Sequence, residues 1–163
     1  LRCLVGSEMC IRDRSSMAAG YWRDGQLLSL TNNEGWFATR DRGALHNGRL
    51  TVVGRLDNLF FSGGEGIQPE EVERVILAHP QVQQVFIVPL DDAEYGQRPV
   101  AVVECDDGCE LSALAAWSAE RLARFQQPVR WLRLPETLKN GGIKISRRAL
   151  CEWVRQQTHA TVS

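Results

Sequence analysis

Lysine is nearly missing from this chain. Of its 19 basic residues only Lys139 and Lys144 are lysines, which leaves 17 arginines. The formal net charge of -1 gives no overall attraction to a polyanion, so nucleic acid is excluded as a first partner despite the arginines. No apolar run approaches the roughly 18 residues that a membrane span needs, and a cytoplasmic protein is expected. The five cysteines, at positions 3, 10, 105, 109 and 151, form no CxxC pair. Their odd number argues against a secreted disulfide framework, so they are read as reduced thiols. His46, His79 and His159 have no acidic or cysteine partner at ligand spacing, and Cys105 and Cys109 alone cannot make a zinc site. No metal ligand is expected. Internal repeats and low-complexity tracts are also lacking.

What is present suits a globular α+β protein, with 44% hydrophobic and 24% charged residues. Residues 1–14 have short apolar stretches broken by charge and fail as a signal peptide. They resemble translated sequencing-adapter sequence and are set aside as a non-native, disordered leader. Residues 15–53 read as short strands and turns punctuated by Asp24-Gly25, Asn32-Asn33 and Asn47-Gly48, too little to bury a core alone. From Gly54 the pattern changes. Pro69 at a first helical position, with Glu70 and Glu71 in the first turn, announces a helix whose buried face is Val72, Val75 and Ile76, and His79-Pro80 stops it. The continuous apolar runs 85–88 and 100–103 read as central strands paired as a hairpin. Leu111, Leu114, Ala115, Ser118, Leu122 and Phe125 follow helical spacing, and a strand is expected over 129–134. Ser146 can cap a last helix with Ala149, Leu150, Trp153 and Val154 on its inner face. Trp117, Trp131 and Trp153 sit within these patterns and read as core rather than as a base-stacking platform.

The stretch GRLDNLFFSGGEGIQPEEVE, residues 54–73, carries a glycine cluster that is expected to open directly onto a helix. A phosphate loop is the first suspicion. Glu65, Glu70 and Glu71 would repel an anion there, however, and no GK[ST] stands after it, so spacing alone leaves a tight structural turn equally open. The stretch resembles the carboxy-terminal signature of the adenylate-forming acyl- and aryl-CoA ligases, in which a Gly-Arg-x-(Asp or Lys) hinge precedes a Ser-Gly-Gly-Glu run. Two further segments stand in the family's order. GWFATRDRG at 35–43 resembles its Gly-Trp-x-x-Thr-Gly-Asp segment, and LPETLKNGGIKISRR at 134–148 resembles its terminal Gly-Lys-Ile-x-Arg segment. The wording over 78–104 is similar to the branch that acts on 2-succinylbenzoate in menaquinone synthesis.

The resemblance implies a small, mixed-sheet carboxy-terminal domain over 54–163 flanked by helices. It also implies that 15–53 is the β-rich end of a large amino-terminal AMP-binding domain whose remainder holds most substrate contacts. The implied substrates are an aryl acid, ATP with its Mg2+, and CoA, and the implied partner is that missing amino-terminal domain. Lys144 matches the family's catalytic lysine. Asp41 matches the residue that holds the ATP ribose, supported by Arg55. Asp57 matches the hinge about which the small domain turns between half-reactions, and Gly64 the glycine that lets backbone approach the pantetheine arm of CoA. Three departures stand out: Arg40 replaces the usual glycine before Asp41, Phe61 stands where some relatives carry lysine, and Ile143 stands where glycine commonly precedes the lysine. Another acyl- or aryl-CoA ligase, or a noncatalytic docking module of the same fold, are the competing readings. The chain alone is expected to be inactive.

Overall fold

The computed structural model describes residues 8–12, 17–139 and 145–159, and the chain divides into two compact units, 1–58 and 59–163.

The first unit is all strand and turn. β1 (Glu8–Arg12), β4 (Trp36–His46) and β5 (Arg49–Arg55) form an antiparallel sheet in the order β1-β4-β5. β2 (Gly20–Arg23) and β3 (Gln26–Ser29) form a separate hairpin. Both hairpins close through the dipeptides that the sequence marks as turns. Asp24 and Gly25 have φ of 50° and 76°, and Asn47 and Gly48 have 50° and 74°. Two consecutive positive φ values match the right-handed twist of the flanking strands, which Asn-Gly and Asp-Gly adopt at little cost. The leader is not wholly without order as expected, since Glu8–Arg12 pairs with β4 as an edge strand. No apolar side chain described in this unit is buried: every buried hydrophobic residue lies at position 60 or beyond.

The second unit holds the core. Its central sheet has the order β10-β9-β8, with β8 (Val82–Asp92) antiparallel to β9 (Gly96–Cys105) and β10 (Arg130–Arg133) parallel to it, so the sheet is mixed as expected. Alternation along β9 sends Ala101 and Val103 to one face and Val100 and Val102 to the other, and all four are fully buried. Both faces are therefore covered, which is why this strand reads as an unbroken apolar run. On the first face Val72 and Ile76 of α1 (Pro69–Leu77) and Leu114 of α2 (Leu111–Ala119) pack with Val85 and Ile87. On the second, α3 (Glu136–Lys139) leads toward α4 (Arg147–His159), whose Leu150 and Val154 close on Val88, Val100 and Leu134. Trp131 packs against the first cluster and Trp153 against the second.

Two readings are corrected. Helical spacing from Leu111 to Phe125 suggested one long helix, but α2 ends at Ala119. The Arg121 and Leu122 amides turn back to the Ser118 carbonyl, and the Gln127 side-chain amide donates to the Ala119 and Leu122 carbonyls in place of a continued helix. The glycine cluster does not open directly onto α1. It forms the tip of a hairpin, β6 (Phe60–Ser62) with β7 (Glu65–Ile67), and α1 comes after it.

Candidate functional site

Strand pairing places the two motif segments of the first unit side by side. Asp41 on β4 stands directly opposite Arg55 on β5, and the Arg55 guanidinium approaches the Asp41 carboxylate at 3.5 Å. Arg55 also donates through Nη2 to Asp57 Oδ2 at 2.8 Å, while Arg40 donates through Nη1 to Asp57 Oδ1 at 2.8 Å. Asp57 itself sits in a one-turn 3-10 helix, Leu56–Asn58, just past β5. The result is an alternating row, Asp41, Arg55, Asp57, Arg40, built from two strands and one turn. Hydrogen bonds from Arg55 and then Arg40 hold the Asp57 carboxyl below its usual range.

Asp41 is the most sheltered member of the row, with a side chain 30% exposed. Its contact with Arg55 is long and leaves lone pairs on both oxygens, the acceptor set that two vicinal hydroxyls need. Arg40, standing where the motif has glycine, takes φ of 59°, the left-handed conformation that glycine favours.

Gly64 and Lys144 belong to the second unit. Gly63 and Gly64 are the two central residues of the β6–β7 turn, with φ of 57° and 88°. The Gly63 amide donates to the Tyr95 carbonyl, and a Cβ at Gly63 would lie 3.0 Å from the Tyr95 ring. Gly63 is thus chosen by packing and conformation together. A Cβ on Gly64 would meet nothing within 4 Å, so the backbone there is open to an approaching molecule and only its φ demands glycine. Phe61, in the place where some relatives carry lysine, is 58% exposed.

Lys144 and Ile143 lie outside the described residues. The chain immediately after Lys144 is firmly tied. The Ala149 amide donates to Ser146 Oγ, which caps α4 as its sequence suggested. Arg147, in the first turn of α4, donates to the Ile87 carbonyl at 2.8 Å and to Glu73 of α1 at 2.8 Å, and Glu73 accepts the Ile87 amide at 2.7 Å. Because β8 is an edge strand, its outward amide and carbonyl at Ile87 would otherwise lack ladder partners. Burial pushes the Glu73 carboxyl up against the lowering pull of Arg147. Sequence reasoning missed this pair, since 74 residues separate its members and no local pattern joins them. Lys139 is held by Glu104 and Glu136, which raise its pKa. Among the described residues no group of three His, Cys, Asp or Glu could hold a metal, and Cys105, Cys109 and Cys151 are free thiols. No described helix is long and apolar enough to cross a membrane.

Comparison with known proteins bears on what this arrangement serves. Residues 71–144 match the AMP-binding enzyme C-terminal domain. The 2-succinylbenzoate--CoA ligase of Escherichia coli K12 is 69% identical over 94% of the chain and 34% of its own length, and that of Haemophilus influenzae is 46% identical over 95% and 34%. The structure of an Escherichia coli MenE variant with bound OSB-AMS superimposes with a TM-score of 0.88 at 66% identity, covering 95% of this chain and 34% of that one. The chain therefore spans about a third of the length of the curated relatives it matches. The chain belongs to the adenylate-forming, AMP-binding enzyme family and carries its C-terminal domain.

Proposed function

We propose that this chain supplies the carboxy-terminal domain, with the adjoining end of the amino-terminal domain, of a cytoplasmic ligase. That ligase joins 2-succinylbenzoate to CoA at the expense of ATP, releasing AMP and pyrophosphate through an acyl-adenylate. The observation that carries this reading is the cross-strand pairing of Asp41 with Arg55 beside Asp57, which gathers three motif residues in one row. The chemistry explains the need for activation. A free carboxylate repels a thiol and has no good leaving group, whereas its mixed anhydride with AMP expels AMP readily.

In this reading Asp41 accepts the ribose hydroxyls and Arg55 steadies its carboxylate. Mg2+ enters with ATP. Lys144 brings one ammonium to the carboxylate and α-phosphate as negative charge builds there, the kind of preorganised electrostatic help that contributes most to such steps. Arg147, three residues after Lys144, is itself fixed to α1 and β8. Gly64 keeps backbone open to the pantetheine arm.

The test is ATP–pyrophosphate exchange and CoA-thioester formation with 2-succinylbenzoate, by the full-length ligase containing this sequence and by the 163-residue chain alone. The full-length protein should do both and the isolated chain neither. Exchange by the pure chain would overturn its assignment as part of a larger catalyst. Full-length activity with other aryl acids but not 2-succinylbenzoate would overturn the substrate.

A further inference from the structure

Arg40 interrupts the register of the strand it belongs to. Between the register pairs Glu8↔Arg42 and Cys10↔Ala38, one residue of β1 faces Thr39, Arg40 and Asp41 of β4, so β4 bulges outward at Arg40. At the apex Arg40 holds φ of 59°, a conformation that burdens a long side chain and persists where surrounding contacts over-determine it. The contact that does so is the 2.8 Å bond from its guanidinium to Asp57 Oδ1. Arg55 already holds Oδ2, so Arg40 engages the second carboxylate oxygen and ties the 3-10 turn back to the bulge. A change in the backbone dihedrals of Asp57 swings that carboxylate, and the Arg40 bond must open for the swing to occur.

We propose that Arg40 is a positioning residue for the hinge: by locking the Asp57 carboxylate to β4 it favours one hinge conformation and thereby sets the balance between the two half-reactions. The inference rests on the reading of Asp57 as the hinge. Arg40 is 69% and Asp57 41% exposed, so the lock is a screened surface pair. Its effect is accordingly about two- to fivefold in the ratio of the two conformations.

The experiment uses the full-length ligase with Arg40→Gly, which relieves the backbone while deleting the lock, and Arg40→Lys, which keeps the charge. Single-turnover adenylation and thioester formation from preformed adenylate are timed separately. The expected result is a change of about two- to fivefold in the ratio of the two rates in Arg40→Gly, with the KM for ATP unchanged. Arg40→Lys should lie nearer wild type, and about 0.5 M salt should move wild type toward Arg40→Gly. An unchanged ratio, or both rates falling together with a raised KM for ATP, overturns the proposal. Asp57→Pro, which fixes φ at the turn, separates the two ideas. If it splits the half-reactions while Arg40→Gly does not, the lock alone fails; if it leaves both rates at wild type, the hinge reading fails and the lock with it.

Discussion

Replacing Arg147 by methionine keeps much of the side chain's apolar volume and removes two bonds, to the Ile87 carbonyl and to Glu73. A hydrogen bond from a charged donor contributes about 1.5–3 kcal/mol. Opening a fully buried ion pair by deleting one member costs about 3–5 kcal/mol, because a charge is left without its partner. Here the Arg147 and Glu73 side chains are 26% and 15% exposed, and Glu73 still accepts the Ile87 amide. A loss of about 2–4 kcal/mol in the second unit is therefore expected. The loss should depend on pH with a definite sign. Burial already holds the Glu73 carboxyl above its usual range, and removing the Arg147 cation raises it further. A carboxyl raised in the fold contributes its stability below its unfolded pKa of about 4.3 and loses it as pH climbs through the folded value. The deficit of the variant should thus be smaller in acid, where only the bond to the Ile87 carbonyl is missed, and grow toward neutrality. Urea unfolding monitored through the amide resonances of β8 and β9 reports on this unit alone. Adding Glu73→Gln should recover more than half of the loss, since the charge is gone while an amide oxygen still faces Ile87. A deficit under about 1 kcal/mol at neutral pH, or one equal at acid and neutral pH, would refute the reasoning.

The site residues give two other expected outcomes. In the full-length ligase Lys144→Ala should slow single-turnover adenylation by roughly 10²-fold or more, the range for losing one preorganised donor; adenylation at wild-type speed would remove Lys144 from the mechanism. Gly64→Ala should cost only about 1–2 kcal/mol of backbone strain at φ of 88°, since nothing lies within 4 Å of the added carbon. In the full-length ligase it should slow thioester formation more than adenylation, and an equal effect on both would confine Gly64 to its turn.

Much of the second unit is legible in the sequence because its signals are local. Pro69 opens α1, Ser146 caps α4, and the apolar runs of β8 and β9 result from burial on both faces. The helix expected through Phe125 does not form, because Gln127 reaches back to cap Ala119 and Leu122, a contact no periodicity records. The glycine cluster reads as either loop or turn, and the choice depends on β6 and β7, strands of three residues that carry too little alternation to show. At the candidate site the motif residues Asp41, Arg55 and Asp57 are readable, but their convergence is not. It comes from the register of β4 against β5, which pairs residues 14 apart in the chain.

The two units divide the physical work unequally. The second buries both hydrophobic clusters and includes Lys144 and Gly64 in its sequence. The first buries no apolar side chain among its described residues, and the positions of Asp41, Arg55 and Asp57 come from the β4–β5 ladder and their mutual charges. A ladder fixes Asp41 and Arg55 rigidly because each backbone bond constrains its neighbours. Asp57 lies two residues past the last paired residue, in the 3-10 turn, where the side chains of Arg40 and Arg55 hold its carboxylate. Restraint by exposed side chains is weak enough to open and specific enough to define a resting conformation, and those two properties together are what a hinge requires.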